Sequence, residues 1–140
     1  MDEATAAGTL VDSNVLLDIF TDDPKWAEWS GKHLADALDR GPALINPIVY
    51  AEVSVGFERI EDLEDALPGG IEREDLPWEA GFLAGKCFLA YRRARGQRRS
   101  PLPDFYIGAH AAITGRALLT RDPKRYEEHF PRLTILAPDG

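Results

Sequence analysis

The 140-residue chain is 44% hydrophobic and 29% charged, a balance that excludes a disordered segment and fits one globular domain, core about 9–137, with a core of its own. Its single cysteine, Cys87, excludes an internal disulfide framework, fits a reducing, cytoplasmic setting and reads as a packed thiol. The net charge of −8 argues against a non-specific nucleic-acid coat protein, and no apolar run reaches membrane-spanning length.

The acidic start "MDEATAAG" lacks the basic and apolar regions of a signal peptide. Then "TLVD" (9–12) reads as a short buried strand, and "SNVLLDIF" as a helix that Asp12 is placed to cap. Asp18 in that helix reads as a solvated residue. "DPKWAEWSGKHLADALDRG" (23–41) predicts a helix with an Asp-Pro start and a Gly stop. "ALIN" (43–46) predicts a second strand, and "PIVYAEVSVGFERI" a helix that opens on Pro47. "LPGGIEREDLP" (67–77) reads as a connector. "PWEAGFLAGKCFLAYRRARG" predicts a helix from Pro77 to Gly96, and "GQRRSPLP" (96–103) another connector. "PDFYIGAHAAITG" is a further helix, "ALLT" (117–120) a strand, "DPKRYEEHF" a short helix and "LTILA" (133–137) a last strand. Strands alternating with helices predict an α/β fold with a central, mainly parallel sheet of four to five strands flanked by helices.

Acids recur at comparable places in this pattern. Asp12 ends the first strand and Asp122 follows "ALLT", so both fall at the carboxyl edge where open α/β sheets gather ligands. Glu52 lies in the helix after the second strand, among apolar or small neighbours. Asp104 opens a late helix after Pro103. Each has a plain alternative: Asp12, Asp104 and Asp122 as helix caps, Glu52 in a surface ion pair. Those alternatives do not account for four acids in apolar surroundings at element ends. Converging carboxylates repel and partly protonate, and a hard divalent cation, Mg²⁺ or Mn²⁺, relieves that repulsion. His33, His110 and His129 show no zinc-ligand spacing.

The order "VDSNVLLD", "YAEVSVGFER", "PDFYIGAHA", "LLTRDPKRY" resembles the PIN-domain family, most closely its VapC-type toxins. The resemblance spans nearly the whole chain and implies a PIN fold. It matches Asp12, Glu52, Asp104 and Asp122 to the family's acidic quartet, Ser13 and Asn14 to the polar residues after the first Asp, and Thr120 to the hydroxyl of T-x-D. It implies a Mg²⁺- or Mn²⁺-dependent endoribonuclease that leaves 5′-phosphate and 3′-hydroxyl ends. Asp12 and Asp104 would hold the ion, joined by Asp122, while Glu52 orients or deprotonates water or helps hold a second ion. Ser13, Asn14 and Thr120 would support the carboxylates. It further implies a cognate antitoxin that covers the acidic pocket, and a toxin homodimer.

Arg92, Arg93, Arg95, Arg98 and Arg99 read equally as an RNA-binding cluster and as a basic helix terminus, with docking of an acidic partner segment as a third reading. Tyr91 and Tyr106 are placed to stack on an unpaired base. Trp26, Trp29 and Trp78 are candidate contact anchors, two of them with core roles. The rivals are an aspartyl-nucleophile phosphotransferase, an acidic Mg²⁺-binding receiver-like module and a degenerate, non-catalytic PIN scaffold. The first wants an acid where Asn14 stands.

Overall fold

The computed structural model describes residues 7–95 and 102–139. Its five strands, β1 (Thr9–Val11), β2 (Ala43–Ile45), β3 (Ile71–Arg73), β4 (Ala117–Leu119) and β5 (Ile135–Leu136), form one sheet in the order β3-β2-β1-β4-β5. Every neighbouring pair is parallel. Seven helices occur among the described residues: α1 (Ser13–Phe20), α2 (Ala27–Arg40), α3 (Pro47–Ser54), α4 (Ile60–Ala66), α5 (Trp78–Arg95), α6 (Leu102–Thr114) and α7 (Lys124–Glu127).

Strands β1, β2 and β4 are buried throughout. Both faces of a parallel sheet are covered by helices, which is why these strands read as unbroken apolar runs rather than as alternation. β3 is different: Glu72 and Arg73 are exposed at the sheet edge, so the stretch 67–77, expected as a connector, holds a strand without an apolar run. The predicted helix over 47–60 is also divided. It stops after Ser54, where Gly56 lowers helical propensity and Phe57 turns inward to meet Phe20 edge-on at 5.5 Å. α4 then begins at Ile60. The Asp-Pro start at 23 proves to be a turn, in which Asp23 Oδ1 accepts the backbone N–H groups of Lys25 and Trp26 before α2 begins.

Chain order and sheet order part company at β1. The chain steps from β1 to β2 and β3 on one side, then crosses to β4 and β5 on the other. Such a switch point opens a crevice outside the carboxyl ends of the two strands that flank it. The register pairs Val11 with Leu119, and Asp12 N–H donates to Leu119 O at 2.9 Å. Asp12 and Thr120 therefore leave adjacent strands side by side at the crevice.

The small-residue run behind Asp104 is explained by packing. A Cβ on Gly108 would lie 2.3 Å from the Phe130 ring, so only glycine lets α6 seat against that side chain. Gly115, at φ +69°, then turns the chain out of α6 toward β4.

Candidate active site

Asp12 is the centre of the polar cluster. It is 1% exposed, and its Oδ1 accepts the Ser13 backbone N–H at 2.8 Å, so it does cap α1. Oδ2 accepts from Thr120 Oγ1 at 2.8 Å, from Tyr126 OH at 2.8 Å and from Asn14 Nδ2 at 3.4 Å. Burial pushes the Asp12 carboxyl above its ordinary range against these donors. Oδ1, with the one backbone donor, keeps lone-pair capacity for a further partner.

Ser13 Oγ donates to Glu52 Oε1 at 2.9 Å, tying α3 to α1. Burial and then the Asp12 charge push Glu52 upward. Asn14 Nδ2 also reaches Thr120 Oγ1 at 3.2 Å, and its Oδ1 accepts the Arg121 backbone N–H. Thr120 Oγ1 in turn accepts the Asp122 N–H at 3.1 Å.

Asp104 is not a cap. It sits in the first turn of α6, 4% exposed. Burial pushes its carboxyl up to about 6; Arg125 pulls against this, while the charges of Asp12, Glu52 and Asp122 add to it. Like charges nearby disfavour the ionised form of one another. Asp122 lies on the rim, its Oδ2 2.8 Å from Arg125 Nε, and Arg125 Nη1 is 3.7 Å from Asp104 Oδ1. The structure thus gathers Asp12, Ser13, Asn14, Glu52, Asp104, Thr120 and Asp122 at one crevice.

Three side chains around it depart from what the sequence pattern assigns. Tyr126 is fully buried with its hydroxyl on Asp12, and Arg125 is the counter-charge of Asp104 and Asp122. Both stand in "DPKRY", one helical turn after Asp122, where their spacing was the available signal. The third is Asp18, which corrects the expectation of a solvated residue. It is 2% exposed, takes both arms of the Arg121 guanidinium at 2.8 and 2.9 Å, and accepts from Ser30 Oγ. The cause is α2, which covers that face of α1, together with Arg121 brought in by the loop after β4.

The histidines lie elsewhere. His110 is fully buried; its Nε2 donates to Glu74 Oε1 at 2.7 Å, leaving Nδ1 to accept from Asn46 Nδ2 at 3.0 Å. Asn46 Oδ1 caps α3 through the Val49 N–H. His33 stacks on Trp29 at 4.2 Å, and His129 lies against Phe105 and Tyr91. Trp26 and Trp29 are half-buried, whereas Trp78 is 91% exposed. Burial pushes the Cys87 thiol up, as suits a packing role. Arg92 and Arg93 are exposed on the last turns of α5, whose helix ends at Arg95; Arg98 and Arg99 lie outside the described residues.

A PIN domain family model matches residues 9–129. The chain belongs to the PIN-domain family. Solved structures of similar fold include VapBC2 of Rickettsia felis bound to a promoter DNA fragment (TM-score 0.70, 19% identity, 94% of this chain and 98% of that one). VapBC of Salmonella typhimurium bound to DNA is similar at TM-score 0.69 and 18% identity, over 93% and 97% of the two chains. FitAcB of Neisseria gonorrhoeae follows at 0.65 and 19%, over 91% and 96%. No curated protein matches by sequence. In this PIN domain no helix among the described residues is long and apolar enough to cross a membrane.

The donor set at the crevice fits a hard divalent cation: it is carboxylate oxygen throughout, and Asp104 is a carboxyl that burial first, and then the charges of Asp12, Glu52 and Asp122, push up to about 6. In the arrangement described, no three His, Cys, Asp or Glu side chains among the described residues stand grouped so as to hold one ion. Asp104 and Asp122 instead share the Arg125 guanidinium.

Proposed function

We propose that this PIN domain is a metal-dependent endoribonuclease and the toxin of a toxin–antitoxin pair. The observation that carries the reading is the convergence of Asp12, Glu52, Asp104 and Asp122 at the β1–β4 crevice, where burial first, and then the Asp12 charge, push both Asp104 and Glu52 upward. Asp12 and Asp104 would hold Mg²⁺ or Mn²⁺, joined by Asp122 directly or through water. A bound divalent cation supplies Lewis acidity toward a phosphoryl oxygen and acidifies the attacking water.

The chain's own groups do the rest. Thr120, Tyr126 and Asn14 fix the Asp12 rotamer so that Oδ1 stays available. Ser13 holds Glu52, whose raised carboxyl suits it to orient the water and accept its proton. None of the three histidines stands among these carboxylates, so water rather than the ribose 2′-hydroxyl is the nucleophile in this reading. The exposed Arg92 and Arg93, with Arg95, Arg98 and Arg99, supply phosphate-binding charge to an otherwise acidic chain.

The likeness to VapBC and FitAcB supports the toxin assignment. The partner is then an antitoxin that sets a basic side chain into the carboxylates, and the toxin pairs as a homodimer for which Trp78 and Phe82, 91% and 71% exposed, offer apolar surface. Incubation of the purified protein with cellular RNA tests the activity. Cleavage is expected in Mg²⁺ or Mn²⁺, and its loss in EDTA, in Asp12→Asn and in Asp104→Asn. Undiminished cleavage in EDTA or in both variants overturns the metal-carboxylate reading.

A further inference from the structure

The acidic pocket holds a cation of the chain's own. Arg125 contacts Asp122 at 2.8 Å and Asp104 at 3.7 Å, and its charge also acts on Asp12 and Glu52. A surface ion pair ordinarily contributes little. This one is unlike that case, because Asp104 is 4% exposed and the charges of Asp12, Glu52 and Asp122 also act on it.

The backbone and the head of Arg125 have opposite freedoms. The next residue, Tyr126, is fully buried and anchored on Asp12, which pins α7 beside the crevice. The Arg125 side chain is 48% exposed, so its guanidinium can swing into solvent on a flexible stem without moving the helix. A guanidinium and a divalent ion are drawn to the same carboxylates and repel each other across a few ångströms.

We propose that Arg125 is a built-in counter-cation that must leave Asp104 and Asp122 before a divalent cation can bind, so that the chain itself sets the metal concentration at which its pocket loads. This rests on the metal-dependent reading above and deepens it. Without metal, the guanidinium relieves the repulsion of the acids; with metal, it is released toward the mouth of the crevice.

Calorimetric titration of Mn²⁺ into the full chain at pH 8, without RNA, tests the exchange. Arg125→Gln is expected to bind Mn²⁺ about tenfold more tightly than the native chain, Arg125→Lys close to the native value, and Asp12→Asn not at all. Melting curves give a second readout: Arg125→Gln melts lower without metal and gains more from Mn²⁺ than the native chain. Arg125→Met keeps the apolar stem and reads the same effects if Arg125→Gln does not fold. Equal Mn²⁺ affinity in the native chain and the neutral variants, with binding lost in Asp12→Asn, overturns the exchange and leaves the metal site standing. No Mn²⁺ binding by any form overturns both.

Discussion

Tyr126 donates its phenolic hydroxyl to Asp12 Oδ2 at 2.8 Å across 114 residues of sequence. The bond joins the end of the first strand to the short helix after the fourth. It steadies a carboxylate that burial pushes toward protonation. Tyr126→Phe removes a donor to the charged form, so the Asp12 carboxyl moves further up. The expected loss is about 1–2 kcal/mol of stability, with the acid limb of the pH–rate profile displaced to higher pH. Chemical denaturation and that profile check it; an unmoved acid limb assigns Tyr126 to packing alone.

Asp104 sets stability against pH in the metal-free chain. Its folded carboxyl, at about 6, lies above the ordinary value of 3.8, so between those values the folded state binds the proton more tightly than the unfolded one. Stability therefore falls as pH rises through the window from 3.8 to about 6. Asp104→Asn removes the charge and is expected to stabilise the metal-free protein at neutral pH, on the order of 2 kcal/mol. The gain vanishes in acid, where both forms are neutral. Urea titrations across that range check the sign, and a destabilised Asp104→Asn at neutral pH contradicts it.

Glu74 works in the opposite sense. Arg116 first, then His110, holds its carboxyl down at about 2, against an ordinary 4.5. The stability this contributes is present above 4.5 and is lost as pH falls toward about 2. Through Asn46 the same network caps α3, which bears Glu52, while His110 itself lies on α6, which bears Asp104. Glu74→Gln is expected to cost about 2 kcal/mol at neutral pH and to reduce turnover by displacing both helices. Retained stability would confine Glu74 to the surface.

Gly108→Ala tests why α6 can approach so closely. The new methyl meets the Phe130 ring at 2.3 Å, and overpacking of this kind costs about 1–3 kcal/mol. Thermal melting checks it. An unchanged melting temperature shows that Phe130 moves aside at no cost.

The sequence made the sheet legible where burial on both faces left apolar runs, as in "TLV", "ALI" and "ALL". It hid β3, because "IER" lies exposed at an edge and carries no such run. Asp12 and Asp122 stand out in the sequence as acids at strand ends, and the register carries Asp12 and Thr120 out side by side. Asp18 looks solvated in the sequence because its burial depends on α2 and on Arg121, partners whose placement no local pattern declares. For Arg125 the spacing from Asp122 declares one half of its role, and the other half shows only when the fold brings Asp104 within 3.7 Å.

The end chemistry of the cleaved RNA bears most directly on water attack organised by these carboxylates. Ligation and phosphatase sensitivity of fragments made in Mg²⁺ are predicted to show 5′-phosphate and 3′-hydroxyl ends. Fragments ending in 2′,3′-cyclic phosphate with 5′-hydroxyl partners would contradict it, since they require attack by the ribose rather than by water.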